Sequence, residues 1–226
     1  MADTVLDRTA RVPLIAAGEL VRDAAKAIVL RKQVTLNAGH QYHRAGTPVL
    51  GVTEALRRVG IIDDRWWTEE HAERGTQIHA LMARTLTPAT PWIQHVSWWD
   101  QHIGSGWSFY RWLNEKQPLT LAAELLVYDP VSDVAGTLDW FGVLDDTLCV
   151  LDWKSGAEAS WHALQTAAYT HALLAESRGY QQRVTPRIRR GALYLHENGS
   201  VATFRAHYKP SDAQIFQAAL LVARFR

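Results

Sequence analysis

The segment Val134–Gly156 reads VAGTLDWFGVLDDTLCVLDWKSG and predicts two antiparallel strands joined by a tight turn. Apolar and β-branched residues lie on both sides of Asp145-Asp146, which is a favourable turn pair. If these two residues form the turn, Leu144 pairs with Thr147, and every other pair of the hairpin follows by counting outward.

This counting places Asp139 directly across from Asp152, with Lys154 on the same face because it lies two residues farther along the strand. Two carboxylates and an ammonium are costly to bury on one face of an otherwise apolar hairpin. A divalent cation accounts for them, and hard oxygen ligands favour magnesium or manganese.

The bulk composition bounds the class of protein. The chain has 226 residues, of which 47% are apolar, and a net charge of +1, which neither requires nor excludes nucleic acid as a partner. Its single cysteine, Cys149, excludes a disulfide framework and a four-cysteine zinc or iron–sulfur site. No apolar run reaches transmembrane length and no secretory leader is apparent, so we expect a soluble cytoplasmic protein with no membrane contact.

The region before residue 68 predicts helices and a short hairpin. Ala, Leu, Val and Arg recur at helical spacing from Pro13 to about Leu36. A strand at His40–His43 is turned back by Ala45-Gly46, and a helix follows with Thr53 as its N-cap and Gly60 at its end.

Residues 68–86 predict a second helix, with Thr68 as its cap and acidic residues in its first turn. Gly75 and His79 are four residues apart and share a face of this helix. Glycine inside a helix costs about 1 kcal/mol relative to alanine, so we expect the helix backbone to lie close against a sheet at Gly75. His79 is either an ordinary histidine or a metal ligand, depending on what it faces.

The next stretch, Trp92–Gln117, is rich in aromatic residues and predicts a helix interrupted near Gly104–Gly106. These rings either pack in the core, which we favour because the whole chain contains ten tryptophans, or stack on single-stranded bases.

A strand follows at Leu119–Tyr128 and contains Glu124. Symmetric counting through the next turn places Glu124 across from Leu138, on the wrong face for a metal. A one-residue bulge places it across from Asp139 instead and makes it a candidate third carboxylate.

After the central hairpin, a helix is predicted from Trp161 to about Ser177, with Gln165 and Tyr169 four residues apart on one face. Five arginines in residues 178–190 either track phosphates or form a solvated loop. A second hairpin turns at residues 197–199, and Pro210–Arg226 predicts a final helix.

Four short motifs occur in an order and spacing that resemble a known family. The motifs are Gly75-x-x-x-His79, Gly136-Thr-Leu-Asp139, Asp152-Trp-Lys154-Ser-Gly and Gln165-x-x-x-Tyr169. Together they resemble the RecB-type branch of the PD-(D/E)XK nucleases over roughly residues 75–170. The segment Thr47–Leu56 also resembles the hairpin-to-helix entry of phage-type and mitochondrial exonucleases of that branch.

The resemblance implies a restriction-endonuclease-like α/β core, in which helices flank a central mixed β-sheet and an N-terminal part is mostly helical. It implies one nuclease domain over residues 1–226, with helices and a hairpin in 1–67 and the catalytic core in 68–226. It also implies one or two Mg²⁺ or Mn²⁺ ions and no iron–sulfur cluster.

The resemblance also implies a role for each motif residue. Asp139, Asp152, His79 and the main-chain carbonyl of Trp153 would hold metal. Lys154 would orient or deprotonate the attacking water. Gln165 and Tyr169 would support the active-site face or touch the DNA backbone, and Glu124 is a further catalytic candidate.

The implied function is a metal-dependent deoxyribonuclease, more specifically an end-dependent exonuclease of recombination, repair or phage DNA processing in a bacterial or phage-infected cell. Its partners would be DNA ends and a recombinase, a single-strand-binding protein or a helicase. The alternative from another class is a catalytically silent nuclease fold that only binds DNA or serves as a scaffold. A non-haem iron enzyme is a third alternative, disfavoured because such sites use two histidines and one carboxylate.

Overall fold

The computed structural model describes residues 34–37, 39–63, 65, 68–86, 96–178 and 188–225. The strands within them are β1 (Thr35–Leu36), β2 (Tyr42–Arg44), β3 (Thr47–Gly51), β4 (Leu119–Asp129), β5 (Val134–Leu144), β6 (Thr147–Lys154), β7 (Arg189–Tyr194) and β8 (Thr203–His207). The helices are α1 (Val52–Arg58), α2 (Glu69–Thr85), α3 (Val96–Lys116), α4 (Trp161–Arg178) and α5 (Ser211–Phe225). Among these described helices, none combines the length and apolar character needed to cross a bilayer.

The strands form one mixed sheet in the order β1-β2-β3-β5-β6-β7-β8, with β4 also paired to β5. The β3–β5 and β6–β7 pairs are parallel, and the other pairs are antiparallel. The α4 helix provides the crossover that two parallel neighbours such as β6 and β7 require. The predicted α/β fold, with a central mixed sheet flanked by helices, is confirmed.

Two apolar cores lie on opposite faces of the sheet. The first core joins the sheet to α1, α4 and α5, and Leu56, Leu173 and Phe216 are among its members. The second core joins the sheet to α2 and α3 and includes Met82 and Trp112. Burial of these side chains from water is the main force that holds the helices on the sheet.

The central hairpin has the register that the sequence predicts. The antiparallel ladder runs from the Leu144–Thr147 pair to the Trp140–Leu151 pair. Asp145 and Asp146 form the turn, with φ values of +48° and +56°. Both central residues are thus left-handed, as in the two-residue turns that match the twist of a hairpin.

The alternation of faces along β5 breaks at Asp139. Val134 and Leu138 belong to the first core, whereas Trp140 and Leu144 belong to the second, although all four occupy even-numbered positions. Strict alternation would place them on one face. Asp139 therefore lies where the strand changes faces.

The pairing of β4 with β5 decides between the two positions predicted for Glu124. Ala123 pairs with Trp140 and Leu125 with Leu138, so Glu124 lies across from Asp139. The symmetric placement across from Leu138 is wrong because Asp129 pairs directly with Val134, which leaves a four-residue turn. The register shift of β4 lies farther along, between Thr120 and Ala122.

Several local predictions are wrong. The predicted helix from Pro13 falls mostly outside the described residues, and at its predicted end Thr35–Leu36 form a strand. The α1 helix begins at Val52 with Gly51 as a cap that makes no side-chain hydrogen bond, so Thr53 is not its N-cap.

Other local predictions hold. The interruption predicted in α3 near Gly104–Gly106 is present, and it lies at His102, where φ is −126°. Thr68 caps α2, and its hydroxyl accepts a hydrogen bond from the main-chain N–H of His71. The aromatic rings of Phe109 and Trp112 are buried in the second core, as the packing interpretation of this stretch predicts. The turn of the second hairpin also forms between β7 and β8.

The predicted basic stretch lies partly outside the described residues, because residues 179–187 are not among them. Arg189 pairs with Asp145, and Arg190 forms a largely buried pair with Asp212. These two side chains are therefore committed to contacts within the fold rather than to phosphate.

The buried Asp129 at the end of β4 makes the fold sensitive to acid. Burial alone raises the pKa of this carboxyl, but hydrogen bonds from His171, Ser132 and Val131 outweigh it and lower the pKa to about 2. The depressed pKa stabilises the fold above pH 3.8, and the contribution is lost as the pH falls towards 2.

We expect Asp129→Asn to lower the free energy of unfolding at pH 7 by roughly 2 kcal/mol, since one pKa unit corresponds to about 1.4 kcal/mol. Urea unfolding at pH 7 and near pH 2.5 measures this difference. The difference in free energy of unfolding between variant and wild type should be smaller at the lower pH. Equal free energies of unfolding at pH 7 would contradict the stabilising role of the Asp129 carboxylate.

Candidate metal centre

His79 projects from α2 to the point where β5 changes faces. Ile78 and Met82 anchor this part of α2 in the second core. The His79 Nδ1 lies 3.2 Å from Asp139 Oδ1, and its Nε2 lies 3.1 Å from the main-chain carbonyl oxygen of Trp153. One imidazole thus contacts two oxygens that the family resemblance implies as metal ligands.

Asp139 is buried and engaged through both of its carboxylate oxygens. While Oδ1 faces His79, Oδ2 accepts a hydrogen bond of 2.6 Å from the main-chain N–H of Trp153. The main-chain ladder of β5 and β6 ends at the Trp140–Leu151 pair. Just beyond this pair, the bond from the Asp139 side chain to the Trp153 N–H links the two strands. The carboxylate is therefore held rigidly at the point where the ladder between β5 and β6 ends.

The charges of the His79–Asp139 pair shift both pKa values. Burial lowers the pKa of His79, but the negative charge and hydrogen bond of Asp139 outweigh it and raise the pKa to about 9. Burial likewise raises the pKa of Asp139, and the positive charge of His79 reverses this and lowers it. Each side chain of the pair thus favours the charged form of the other.

Glu124 completes a group of three ligand-bearing side chains. One ligand atom each from His79, Glu124 and Asp139 lies within 4.8 Å of the other two. Glu124 has a φ of +50°, a strained conformation for a residue with a side chain, and such outliers cluster at functional sites. Glu124 is exposed as a residue, but partial desolvation of its carboxyl and the negative charge of the neighbouring Asp139 raise its pKa to about 7.

Asp152 and Lys154 form an ion pair on the neighbouring strand, and both side chains are mostly shielded from water. Asp152 lies outside the three-residue group, although burial and the charge of Asp139 raise its pKa to about 6 even with Lys154 beside it. Its Oδ2 is buried and forms no well-directed hydrogen bond among the described residues. This oxygen faces the Lys154 ammonium, which is its counterion.

Gln165 connects the ammonium to the first core. Its Oε1 accepts a hydrogen bond of 3.0 Å from Lys154 Nζ, and its Nε2 donates to Tyr169 Oη over 2.9 Å. Gly136 makes room for the Tyr169 ring, because a Cβ at this glycine would lie 2.4 Å from Tyr169 Cε1. The glycine of the Gly136-to-Asp139 motif thus has a packing role.

The other motif glycine behaves differently from expectation. A Cβ added at Gly75 would meet no atom of the described residues within 4 Å, so the predicted close approach of helix and sheet at this position is wrong. Gly75 lies one helical turn before His79 and opens to free space.

Three further residues at the site were not among those predicted from sequence. Trp161 lies beneath Lys154, whose Nζ is 5.0 Å from the ring centroid. Its spacing of four residues from Gln165 was a usable signal. Tyr42 Oη lies 3.1 Å from Thr137 Oγ1, a contact between residues 95 positions apart that no local pattern indicates.

A cleft of about 560 Å³ lies apart from this centre and contains none of the predicted site residues. Three of its lining side chains, Glu70, Glu73 and Glu197, are acidic and have the same sign of charge as a phosphodiester. Its basic residue, Arg74, is paired with Glu197.

No protein-family model and no curated protein sequence matches this chain. Among solved structures, the chain is similar to LHK-Exo in complex with dAMP, with a TM-score of 0.34 and 9% identity, over 78% of this chain and 86% of the other. It is also similar to an alkaline exonuclease (LHK-Exo) from Laribacter hongkongensis, with a TM-score of 0.32 and 8% identity over the same shares. Such values assign neither activity nor substrate to this chain.

Proposed function

We propose that this protein is a divalent-metal-dependent deoxyribonuclease that hydrolyses phosphodiester bonds, and more specifically an exonuclease that acts from DNA ends. The observation that supports this most directly is the convergence of His79, Glu124 and Asp139 within 4.8 Å of one another, beside the Asp152–Lys154 pair. The hairpin does not need these polar side chains in order to fold, because apolar residues at the same positions would pack without the cost of burying charge.

The donor set fits Mg²⁺ or Mn²⁺. Carboxylate oxygens of Asp139, Glu124 and Asp152 and the Trp153 carbonyl are hard ligands, and the His79 imidazole suits manganese. In the proposal these residues hold one or two ions. A bound divalent cation lowers the pKa of water and offsets the charge of the phosphate.

The remaining chemistry belongs to the side chains of the protein. Lys154 carries the positive charge that orients the attacking water and stabilises the phosphate in the transition state. Gln165 and Tyr169 hold this ammonium in place from the first core. Asp139 holds the Trp153 peptide, whose carbonyl would be a metal ligand, through its bond to the N–H of that residue.

We further propose that residues 1–226 act as one nuclease domain in the cytoplasm of a bacterial or phage-infected cell. DNA is its substrate, and a recombinase, a single-strand-binding protein or a helicase would supply the free ends. The catalytically silent DNA-binding module is the alternative, and it leaves the paired acids next to phosphate without a function.

The test compares wild type with Asp152→Ala and Lys154→Ala on linear and closed circular DNA, each with and without Mg²⁺ or Mn²⁺. We expect metal-stimulated degradation of the linear substrate and a loss of at least about 100-fold in both variants, because Asp152→Ala removes a proposed metal ligand and Lys154→Ala removes the cation that stabilises the phosphate. Substrates labelled at either end separate exonuclease from endonuclease. Metal-stimulated activity that survives both substitutions would exclude this active site, and DNA binding without cleavage would favour the alternative.

A further inference from the structure

The Lys154 ammonium is held from three directions. It pairs with Asp152 on its own strand, donates to Gln165 Oε1 over 3.0 Å, and lies over the ring of Trp161. Its side chain is 15% exposed, so little water competes for these contacts. The direction in which Lys154 points therefore depends on the direction in which the Gln165 amide points.

The Gln165 amide has two possible orientations, and its neighbours select one. With Oε1 towards Lys154, its Nε2 donates to Thr53 Oγ1 over 3.2 Å and to Tyr169 Oη over 2.9 Å. Both amide hydrogens are then used and the carbonyl faces the ammonium. The flipped amide would direct its N–H groups at an ammonium, which has no acceptor capacity.

Thr53 provides a rigid acceptor for this arrangement. Thr53 lies in the first turn of α1. Its helix neighbours Val52, Ala55 and Leu56 are all buried in the first core. The Thr53 hydroxyl is 112 positions from Gln165 in sequence, and the helix holds it at a fixed place beside the sheet.

We propose that Thr53 is a positioning residue for Lys154, acting through the Gln165 amide. The inference rests on the proposed function, in which Lys154 orients water and stabilises the phosphate. Removal of the hydroxyl leaves one buried amide N–H without an acceptor, and Nε2 of the amide is then held by Tyr169 alone, so the amide positions the ammonium less firmly. Substrate binding does not require this contact, so the turnover step should suffer most.

The test compares Thr53→Val, which keeps the shape, with Thr53→Ser, which keeps the hydroxyl. Thr85→Val is the matched control, because Thr85 is also a half-buried helical threonine but bonds only the Leu81 carbonyl of its own helix among the contacts described. We expect Thr53→Val to lower kcat by about 10–100-fold, as outer-shell substitutions do, with KM within about twofold of wild type. Thr53→Ser and Thr85→Val should retain kcat within about twofold.

Each contrary result overturns the inference in a recognisable way. A Thr53→Val kcat equal to that of Thr85→Val removes the positioning role. An increase in KM at constant kcat assigns Thr53 to substrate binding, and a Thr53→Ser defect as large as that of Thr53→Val assigns the effect to packing of the methyl group.

A readout without catalysis separates this inference from the proposed function. In NMR spectra, the Gln165 side-chain amide protons should exchange slowly with solvent in wild type and Thr53→Ser, and faster in Thr53→Val. If Thr53→Val does not fold, Thr53→Ala provides the same comparison. Unchanged exchange overturns the inference even if the protein proves to be inactive, whereas an inactive wild type with the expected exchange pattern contradicts only the proposed function.

Discussion

Replacing Asp139 with asparagine is expected to abolish measurable Mn²⁺ binding and to lower metal-stimulated DNA hydrolysis by roughly 100- to 1,000-fold. Asp139 is the central acid of the candidate centre, since its two oxygens contact His79 and the Trp153 N–H. Asparagine preserves the shape and one acceptor oxygen, so the Trp153 N–H keeps a partner. The loss of the negative charge removes the attraction for a cation.

Isothermal titration calorimetry with Mn²⁺ measures the first effect, and degradation of linear DNA measures the second. Asp146→Asn is the matched control, because Asp146 is an exposed acid at the turn of the same hairpin and asparagine tolerates its φ of +56°. The control should bind Mn²⁺ and cut DNA as wild type does. Mn²⁺ binding heat that persists in Asp139→Asn would place the metal site elsewhere.

The second large effect is expected at Gly136, where alanine should lower the free energy of unfolding by about 1–3 kcal/mol and reduce activity. The new Cβ would lie 2.4 Å from Tyr169 Cε1, and Tyr169 is almost completely buried in the first core. The ring must move, and Gln165 loses the hydroxyl to which its Nε2 donates. The support of Lys154 then weakens together with the packing.

Gly75→Ala is the matched comparison, because the same change occurs at the glycine of the neighbouring motif. In the part of the chain that the structure describes, no atom lies within 4 Å of its added Cβ, and Gly75 lies in the interior of α2, so alanine should stabilise the protein by up to about 1 kcal/mol. Thermal or urea unfolding of both variants distinguishes the two glycines. Equal free energies of unfolding for Gly136→Ala and wild type would mean that the Tyr169 ring can move away from the new Cβ without loss of packing.

Local rules were sufficient wherever a short turn sets the register. The Asp145-Asp146 turn determines every pair of the central hairpin up to Trp140 and Leu151, so the neighbouring positions of Asp139 and Asp152 were predictable. The spacing of Gln165 and Tyr169 likewise follows from one helix, and the structure joins them by a hydrogen bond. These relations depend on a few consecutive residues and on helix or strand periodicity.

Predictions that depended on longer loops or distant partners were less successful. The position of Glu124 depends on whether the turn after Asp129 contains an extra residue, and only the tertiary structure decides this. Thr53 has the residue type and sequence context of an N-cap, yet its hydroxyl accepts from Gln165, 112 positions away. Glycine has the same local effect on a helix whatever surrounds it, so the open space at Gly75 was not predictable.

By itself, the sequence determined the hairpin, its register and the set of acids and lysine that it carries, because strand alternation and a two-residue turn are local properties. Only the tertiary structure decided that His79 meets Asp139 and that Thr53 meets Gln165. Helices α1 and α2 pack on opposite faces of the sheet, and burial of their apolar sides sets where their polar side chains emerge. That packing depends on the whole core and not on any one segment.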